Sequence, residues 1–391
     1  MSDHWNRRQL LQSAGLLSIL PASSLLTNQS AWGQISDRLK TLSTDVPNAE
    51  PHVDQLIKSW ITPAEQFYIR SHAPAPKVDP KSFKLVVEGL VEKPLSISYA
   101  DLFDQFPKVD MTSTLTCAGN RRTELMAMKP IKGVPWGPAA IGNAEWSGIR
   151  LSDVLKKAGV KANAQHVWFE GLDEIQRDDG VIPFGASIPL QKAFADSPTY
   201  PGAMLCNQMN GEDLSPDHGY PLRTIVPGFI GARSVKWLGR ITVSDRPSSN
   251  HYLAKAYKMI YDNTDQEWAD ARPIYEYVLN SVIANPKPGT KFGPGNYAVK
   301  GYALPPGRKG VVIRAVEISV DNGRTWMPTR LTSEPQEYCW QLWESPVITL
   351  EPHQSITVRA TDSQGHTQPQ SIPWNHKGYL MNQWHQVKPG G

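Results

Sequence analysis

The chain has 391 residues, of which 40% are hydrophobic and 20% are charged, and it contains 13 tryptophans. At roughly 150 residues per domain this length predicts two domains, or three, and the composition excludes a disordered chain. Forty basic residues against 37 acidic residues leave a net charge of +3, which is too balanced for a protein that binds the nucleic-acid backbone. The 33 prolines and 29 glycines favour turns and short strands over a helical bundle.

The first 33 residues have the layout of a signal peptide. Arg7 and Arg8 precede an uncharged stretch from Leu10 to Leu20, and small residues follow up to Gly33. The arginine pair, followed by Gln-Leu-Leu, is similar to the bacterial twin-arginine signal, which exports folded proteins. We therefore expect the mature protein in the periplasm; the alternative is a buried N-terminal helix that carries two arginines. No later segment is apolar over ~20 residues, so no membrane partner is expected.

Residues 34–265 are predicted to form a mixed domain of short strands and few helices. Residues 34–80 are predicted to be irregular because they contain many prolines. Strands are predicted over residues 83–90, 111–117, 167–170, 222–227 and 235–243. One helix is predicted after a cap at Ser98, and another over residues 151–158 with Gly159 as its stop.

From about Tyr275 onwards the sequence changes to alternating strands and turns. The predicted strands cover residues 281–284, 297–303, 311–320 and 355–360, and the turns contain Asp321-Asn-Gly and Asp362-Ser-Gln-Gly. This spacing predicts an all-β, immunoglobulin-like sandwich over residues 266–391. The expected fold class is therefore α+β, with the mixed domain first.

The three cysteines, Cys117, Cys206 and Cys339, are an odd number and have no spacing that suits a zinc or iron–sulfur site. We interpret Cys206 and Cys339 as core residues. Cys117 ends a predicted strand and opens onto Ala118-Gly119-Asn120, which Arg121 and Arg122 follow. Neighbouring cations favour a thiolate, which is a soft metal ligand, and the arginines can bind an anion. The alternative is a turn with a buried cysteine and two surface arginines.

Three other segments carry further cationic and imidazole groups. They are Tyr68-Ile-Arg-Ser-His72, Asp217-His-Gly-Tyr-Pro-Leu-Arg223 and the glycine-rich Gly228-Phe-Ile-Gly-Ala-Arg-Ser-Val-Lys236. The amides and Lys236 of the third segment can cradle a phosphate. Together with Cys117, these segments supply a thiolate, a phosphate cradle and an arginine cluster, without a Ser-His-Asp arrangement.

At these residues the chain resembles the sulfite oxidase family of molybdenum enzymes, from Tyr68 to the C-terminal tail. The family's strings occur in order as Cys-Ala-Gly-Asn-Arg-Arg, Asp-His-Gly-Tyr-Pro-Leu-Arg, Val-Pro-Gly-Phe-Ile-Gly-Ala-Arg and Val-Lys-Trp-Leu-Gly-Arg-Ile. The resemblance implies a molybdopterin (pyranopterin) cofactor with molybdenum, and oxidation of sulfite to sulfate by oxo transfer. It also implies a sulfite-oxidase-type molybdopterin domain and a homodimer formed through the second domain.

The resemblance also implies roles for individual residues. Cys117 would be the thiolate ligand of molybdenum. The cofactor would be held by Tyr68, Ile69, Arg70, Ser71, His72, Asp173, His218, Arg223, Ser234, Val235 and Lys236. The catalytic residues around the substrate would be Arg70, Arg122, Trp136, Tyr257 and Lys377.

Two features depart from the animal relatives. Their Trp-Asn-x-Arg-Gly string reads Trp374-Asn-His-Lys377-Gly378 here, so a lysine keeps the charge but loses the planar fork. No segment is similar to the b5-type haem domain of some relatives. We therefore expect an external electron acceptor, a c-type cytochrome.

Three alternatives remain at this point. The protein could be the catalytic subunit of a thiosulfate-oxidising complex of the sulfane dehydrogenase type. It could be a sulfoxide reductase, although those relatives lack the second β domain and the arginine-rich pocket. It could also be a non-catalytic immunoglobulin-type adhesion or binding protein, against which the Cys117 segment argues.

Overall fold

The structure is a computed structural model that describes residues 37–197, 200–289 and 291–388. The signal-peptide prediction for residues 1–33 lies outside these ranges. The described residues form mixed sheets with few helices, which is compatible with the α+β class. Over those same ranges, no helix combines the length and the apolar character that crossing a bilayer requires.

The first part of the described chain consists of short strands joined by shorter helices. In chain order its elements are β1 (Leu39–Ser43), β2 (Asn48–Pro51), α1 (Val53–Leu56), β3 (Ile69–Arg70), β4 (Lys84–Gly89), β5 (Leu95–Ser98), α2 (Tyr99–Gln105), β6 (Lys108–Thr116), α3 (Arg122–Met126), β7 (Ile141–Arg150), α4 (Leu151–Ala158), β8 (His166–Gly171), β9 (Ile175–Arg177), β10 (Gly180–Ile182), β11 (Gly185–Pro189), α5 (Leu190–Ala193), β12 (Met204–Met209), β13 (Glu212–Asp213), β14 (Arg223–Ile225), β15 (Leu238–Ser244), α6 (His251–Ala254) and α7 (Asp265–Asp270). Single 3₁₀ turns span Ala64–Gln66, Pro216–His218 and Gly231–Arg233.

The segment predicted to be irregular contains a three-stranded sheet of order β1-β2-β3. In the antiparallel pairing of β1 with β2, Leu39 faces Pro51, and Asn48 of β2 faces Arg70 of β3. The prolines of this region are compatible with the sheet because Pro51 ends β2 and the others lie outside the strands. The prediction that residues 34–80 are irregular was therefore wrong for the strand residues 39–43, 48–51 and 69–70.

Two five-stranded sheets form the centre of the first part. One has the order β11-β8-β15-β4-β5; the other has the order β13-β12-β7-β6, with β14 also paired to β12. α4 packs between them in an apolar core, and it ends where predicted because Gly159 adopts a φ of 70°. β6 is paired with β7 along its whole length, up to Thr116 opposite Ile141. Cys117 therefore leaves the sheet at a fixed point.

The second part consists of two four-stranded antiparallel sheets that share one core. Its strands are β16 (Asn280–Asn285), β17 (Gly295–Leu304), β18 (Ile313–Ser319), β19 (Met327–Pro328), β20 (Arg330–Leu331), β21 (Gln341–Leu350), β22 (Ile356–Asp362) and β23 (His385–Val387). Their orders are β16-β17-β21-β20 and β19-β18-β22-β23, and Trp343 of one sheet and Val358 of the other belong to the same buried cluster. The sequence pattern did not predict β21, which contains Pro346; the pairing with β17 shifts register there, which accommodates the proline.

After β22 the chain returns to the first part and contacts the loop that follows β6. The amide of Leu380 donates to the carbonyl of Ala118 at 2.8 Å, and the amide of His376 donates to that of Ile260 at 2.8 Å. Residues 375–380, which we call the returning segment, therefore form one side of the region around Cys117.

Candidate active site

A pocket lies at the end of β6, between β3 and the segment that precedes β15. Most of the predicted site residues line it, namely Tyr68, Arg70, Ser71, His72, Cys117, Asp173, His218, Arg223, Ser234, Lys236 and Tyr257. The structure thus brings together side chains that are separated by up to 189 positions, as from Tyr68 to Tyr257.

Cys117 is buried at one wall of the pocket, with 8% of its surface exposed. Its amide donates to the carbonyl of Ala140 at 2.9 Å, and its Sγ accepts from the amide of Gly119 at 3.4 Å. The side chain of Asn120 fixes the loop further, because its Oδ1 accepts from the amide of Ala140 and its Nδ2 donates to Tyr302. A rigid loop with a thiol facing a pocket is suited to anchoring a metal.

The other two cysteines lie in the core. Both are completely buried, and Cys339 donates its thiol to the carbonyl of Thr112 at 3.4 Å. Burial raises the pKa of both thiols, so they stay protonated. This agrees with their interpretation as core residues.

Arg121 and Arg122 do not share one role. Arg121 is completely buried, donates to both carboxylate oxygens of Glu124 at 2.7 and 2.8 Å, and donates to Asn280 at 2.7 Å. Arg122 donates to the carbonyls of Val134 at 2.9 Å and Gly378 at 3.4 Å. Among the residues that the structure describes, no carboxylate pairs with Arg122. Of these two arginines, only Arg122 therefore has a guanidinium that is available to bind an anion.

Arg70, His72 and Tyr257 form a connected group on the opposite wall. The Nε2 atom of His72 lies 2.8 Å from a guanidinium nitrogen of Arg70 and 3.0 Å from the hydroxyl of Tyr257. The same guanidinium nitrogen lies 3.2 Å from Nδ1, and because a guanidinium only donates, the imidazole beside it cannot carry a proton on both nitrogens, so His72 is neutral. Burial, followed by the charge of Arg70, lowers the pKa of His72 well below its usual value, in agreement with this assignment.

A cationic end of the pocket is formed by Lys236, Arg223 and His218. The ammonium of Lys236 donates to the hydroxyl of Ser71 at 2.7 Å and to the carbonyl of Asp217 at 2.8 Å, and Arg223 donates to the carbonyl of His218 at 2.7 Å. Burial, followed by repulsion from Arg223, lowers the pKa of Lys236 to about 7. Burial lowers the pKa of His218 to about 3. An anion bound here would stabilise the charges that burial disfavours.

The residues fit a molybdopterin with its phosphate, as the family resemblance implies. Asp173 is 3% exposed, and its Oδ2 has no hydrogen-bond partner, so it can accept from an N–H of a pterin ring. A Cβ at Gly231 would lie 2.7 Å from the hydroxyl of Tyr68, so only glycine leaves room there. Lys236 and Arg223 suit the phosphate, and Cys117 suits the metal. Within the described ranges there is no cluster of three or more His, Cys, Asp or Glu that could hold a metal.

Ile69, Val235 and Trp136 lie beside the pocket rather than on its surface. Ile69 belongs to β3, and the amide of Val235 donates to the hydroxyl of Thr224 at 2.7 Å, so both contribute backbone. Trp136 is completely buried and meets Tyr68 edge to face at 6.4 Å between ring centres. Its indole N–H has no partner.

Lys377 does not line the pocket of Cys117. Its ammonium lies 4.7 Å from the ring centre of Trp268, and it lines a neighbouring groove together with His251 and Lys258. Repulsion from Arg122 adds to burial in lowering the pKa of Lys377, so the two cations still influence each other. The predicted direct contact between Lys377 and a substrate beside Cys117 is thus not present in this arrangement.

Several aromatic residues of the site were not predicted from the sequence. The rings of Phe184 and Tyr252 lie 5.3 and 4.3 Å from that of His72, and Tyr379 stacks on Tyr257. Tyr252 and Tyr379 stand close to residues that were singled out, Tyr257 and Lys377, but a single aromatic residue in a loop carries no signal of its own.

Comparison with known proteins gives two family matches. The model described as the oxidoreductase molybdopterin binding domain matches residues 72–252, and the Mo-co oxidoreductase dimerisation domain matches residues 271–389. Sulfite oxidase of Gallus gallus is 40% identical, with 86% of this chain and 75% of that protein covered. Sulfite oxidase of Arabidopsis thaliana is 36% identical, with 89% and 93% covered. The chain spans 65% of the length of the human and macaque mitochondrial sulfite oxidases.

Among solved structures, the sulfane dehydrogenase SoxCD from Paracoccus pantotrophus is similar to this chain. The TM-score is 0.75, the sequences are 25% identical, and 90% of each chain is covered. This similarity includes both the part that contains Cys117 and the two C-terminal sheets.

Proposed function

The chain belongs to the sulfite oxidase family of molybdopterin oxidoreductases, and from that premise we propose that it oxidises sulfite to sulfate. It is an oxidoreductase whose cofactors are molybdenum and molybdopterin. The observation that carries the proposal is that the thiol of Cys117 lies in a pocket with Arg70, while Arg122 stands on the adjacent loop without a carboxylate partner. Such a site favours a small oxyanion over a neutral substrate.

The residues of the chain bind and orient the reactants. When bound, the cofactor supplies oxygen-atom transfer and accepts the electrons, with sulfite and water converted overall into sulfate, two protons and two electrons. Arg70 and Arg122 concentrate the anion and fix its orientation. Burial raises the pKa of Tyr257, so its hydroxyl stays neutral and does not repel the anion. Cys117 anchors the metal, and Lys236 and Arg223 hold the phosphate.

The test uses full-length protein from a host that makes molybdopterin. We expect molybdenum at about one atom per chain and reduction of ferricyanide that depends on sulfite. Protein that contains molybdenum but shows no sulfite-dependent reduction would contradict the proposal.

A second candidate, a sulfane dehydrogenase, is supported by the similarity to SoxCD over 90% of the chain. The same assay distinguishes the two candidates when sulfite is replaced by a protein-bound persulfide. Turnover with the persulfide and none with sulfite would favour the second candidate. Reduction of methionine sulfoxide by the enzyme, with a viologen donor, would instead favour a sulfoxide reductase.

We propose that the C-terminal part is an immunoglobulin-like dimerisation domain. Its two sheet orders, β16-β17-β21-β20 and β19-β18-β22-β23, correspond to the ABED and C′CFG arrangement of immunoglobulin sandwiches. The family match to the dimerisation domain over residues 271–389 supports a homodimer. Light scattering on the purified protein tests this, with a mass of twice 43.5 kDa, less any signal segment removed, as the expected result.

We further propose export to the periplasm by the twin-arginine pathway and electron transfer to an external c-type cytochrome. Arg7 and Arg8, followed by an apolar stretch, support the export. Replacement of both arginines by lysine should retain the protein in the cytoplasm, as measured by cell fractionation. Sulfite-dependent reduction of a purified periplasmic cytochrome, against a control without sulfite, tests the acceptor.

A further inference from the structure

We infer that Tyr379 is a positioning residue of the substrate site, which holds the guanidinium of Arg122 over its own ring, beside Tyr257, and so sets the affinity for the substrate anion. The inference rests on the proposed function, because it concerns the same oxyanion pocket. It goes further in naming a residue that the sequence motifs do not contain.

The ring of Tyr379 lies between two groups that face the substrate in the proposed function. It is stacked on Tyr257, with 5.3 Å between ring centres and 13° between ring planes. The central carbon of the Arg122 guanidinium lies 5.2 Å from the centre of the Tyr379 ring. Tyr379 therefore links the cation on the Cys117 loop to the tyrosine on the opposite wall.

Arg122 needs such a neighbour because it is buried and has few partners. Only 6% of its surface is exposed, and its partners in hydrogen bonds are the carbonyls of Val134 and Gly378. The negative face of an aromatic ring stabilises a guanidinium without neutralising it, whereas a carboxylate would compete with the substrate for it. Burial raises the pKa of Tyr379, so the ring carries no charge that could cancel that of Arg122.

The backbone of the returning segment is fixed in a way that places this ring. Asn375 is completely buried; its Nδ2 donates to the carbonyl of Tyr379 at 3.0 Å, and its Oδ1 accepts from the amide of Tyr379 at 3.0 Å. Gly378 has a φ of 60°, and a Cβ there would lie 2.7 Å from Cγ of Arg122. Asn375 and Gly378 therefore fix the backbone of the returning segment so that the ring of Tyr379 contacts Arg122.

The neighbouring Lys377 does not take this role. Its ammonium stands over Trp268 in the adjacent groove. Of the two side chains that flank Gly378, the ring of Tyr379 is the one that touches Arg122.

The test compares three variants of the molybdenum-loaded enzyme. Tyr379→Met keeps the approximate volume but removes the aromatic face, Tyr379→Phe keeps the face, and Tyr261→Met changes a tyrosine that is 42% exposed. For Tyr379→Met we expect the KM for sulfite and the inhibition constant of sulfate to rise about tenfold, with a smaller change in kcat. Tyr379→Phe and Tyr261→Met should stay within about twofold of the wild type, since neither loses a ring face beside Arg122.

A double-variant cycle separates positioning from general packing. In an Arg122→Met background, Tyr379→Met should change the KM by less than about twofold, because the group through which Tyr379 acts is gone. An equal effect in both backgrounds, or an unchanged KM in Tyr379→Met alone, would overturn the inference.

A binding measurement keeps the inference distinct from the proposed activity. Calorimetric titration of sulfate into wild-type enzyme and Tyr379→Met requires no turnover, and we expect weaker binding to the variant by about tenfold. A wild type that binds sulfate but does not oxidise sulfite would refute the proposed function while leaving this inference standing. Equal sulfate affinities for the two proteins would refute the inference, whatever the activity.

Discussion

The side chains of Arg121 and Arg122, neighbours in the chain, lie in opposite chemical environments. The guanidinium of Arg121 is paired with Glu124 and Asn280, whereas that of Arg122 rests on the ring of Tyr379 and two carbonyls. The left-handed backbone of Arg121, with a φ of 67°, turns the two side chains apart. One arginine therefore stabilises the contact with the second part of the chain, and the other remains available to a ligand.

Replacing each of these arginines by methionine should give different defects. Arg122→Met should raise the KM for sulfite at least tenfold with little loss of stability, because it removes a cation from the substrate site. Arg121→Met should lower the free energy of unfolding by roughly 3 kcal/mol, because it leaves Glu124 unpaired. Steady-state kinetics and urea unfolding of both variants check this. Equal KM values for Arg122→Met and the wild type would show that Arg122 does not act on the substrate anion.

Cys117→Ser should abolish sulfite oxidation while preserving the fold. A hydroxyl is a poor soft ligand, and the neighbouring bonds from Ala140 and Asn120 do not involve the sulfur. We expect sulfite oxidation to be lost, with or without loss of the molybdenum content measured by mass spectrometry. The circular dichroism spectrum should be unchanged. Cys339→Ser is the matched control, since its hydroxyl can still donate to Thr112. Full turnover in Cys117→Ser would refute the ligand role.

Lys377→Ala should have a mild effect that depends on salt. Because the ammonium lies over Trp268 and outside the pocket, it attracts the anion at a distance, and such attraction is screened by ions. We expect the KM for sulfite to rise about threefold at 10 mM salt and to match the wild type at 0.5 M. Lys84→Ala, at an exposed position of β4, is the control. A loss that persists at high salt would mean that Lys377 contacts the substrate directly.

Lys236 should make the stability of the cofactor-free protein depend on pH. Its pKa is about 7 in the folded protein and 10.5 in a model peptide, so the unfolded chain binds more protons between these values. The cost of the buried charge is present below pH 7 and is relieved as the pH rises towards 10.5. The free energy of unfolding should therefore increase with pH between about 7 and 10.5.

The measurement is urea unfolding at pH 6.5 and pH 9 for wild type and Lys236→Met, both without cofactor. The wild type should gain stability relative to the variant at the higher pH, because only the wild type loses a buried charge. A phosphate group bound at this end of the pocket should remove the difference, since it keeps Lys236 protonated. Parallel pH profiles for the two proteins would show that Lys236 is not a destabilised cation.

Sequence patterns predicted the elements that depend on local interactions. The Ser98 hydroxyl caps α2 by accepting from the amide of Asp101 at 3.2 Å, and Gly159 ends α4. Both features are encoded within a few residues of the element that they delimit. The three-stranded sheet β1-β2-β3 was missed because it depends on pairing between residues up to 22 positions apart, such as Asn48 and Arg70.

In the candidate site, too, features that short strings encode were predicted, and features that depend on distant contacts were not. The motifs gave the residues that line the pocket of Cys117, because each motif is a short, unusual string. The chemistry of the string alone treated Arg121 and Arg122 alike, whereas the family resemblance placed Arg122, together with Lys377, at the substrate. The physical reason why Arg122 rather than Arg121 is free, and the directions of the side chains of the returning segment, depend on contacts such as that of Arg122 with Gly378. A linear pattern holds no information on such contacts.

Those two residues are 256 positions apart, and their contact has a consequence for biosynthesis. The wall that Tyr379 and Gly378 provide cannot exist on the ribosome until nearly the whole chain of 391 residues has been translated. A nascent chain that stalls before residue 378 already contains every residue that lines the pocket of Cys117, but it lacks the carbonyl and the ring on which the guanidinium of Arg122 rests. The environment of Arg122 is thus completed only at the end of synthesis, after all the residues that line the pocket of Cys117.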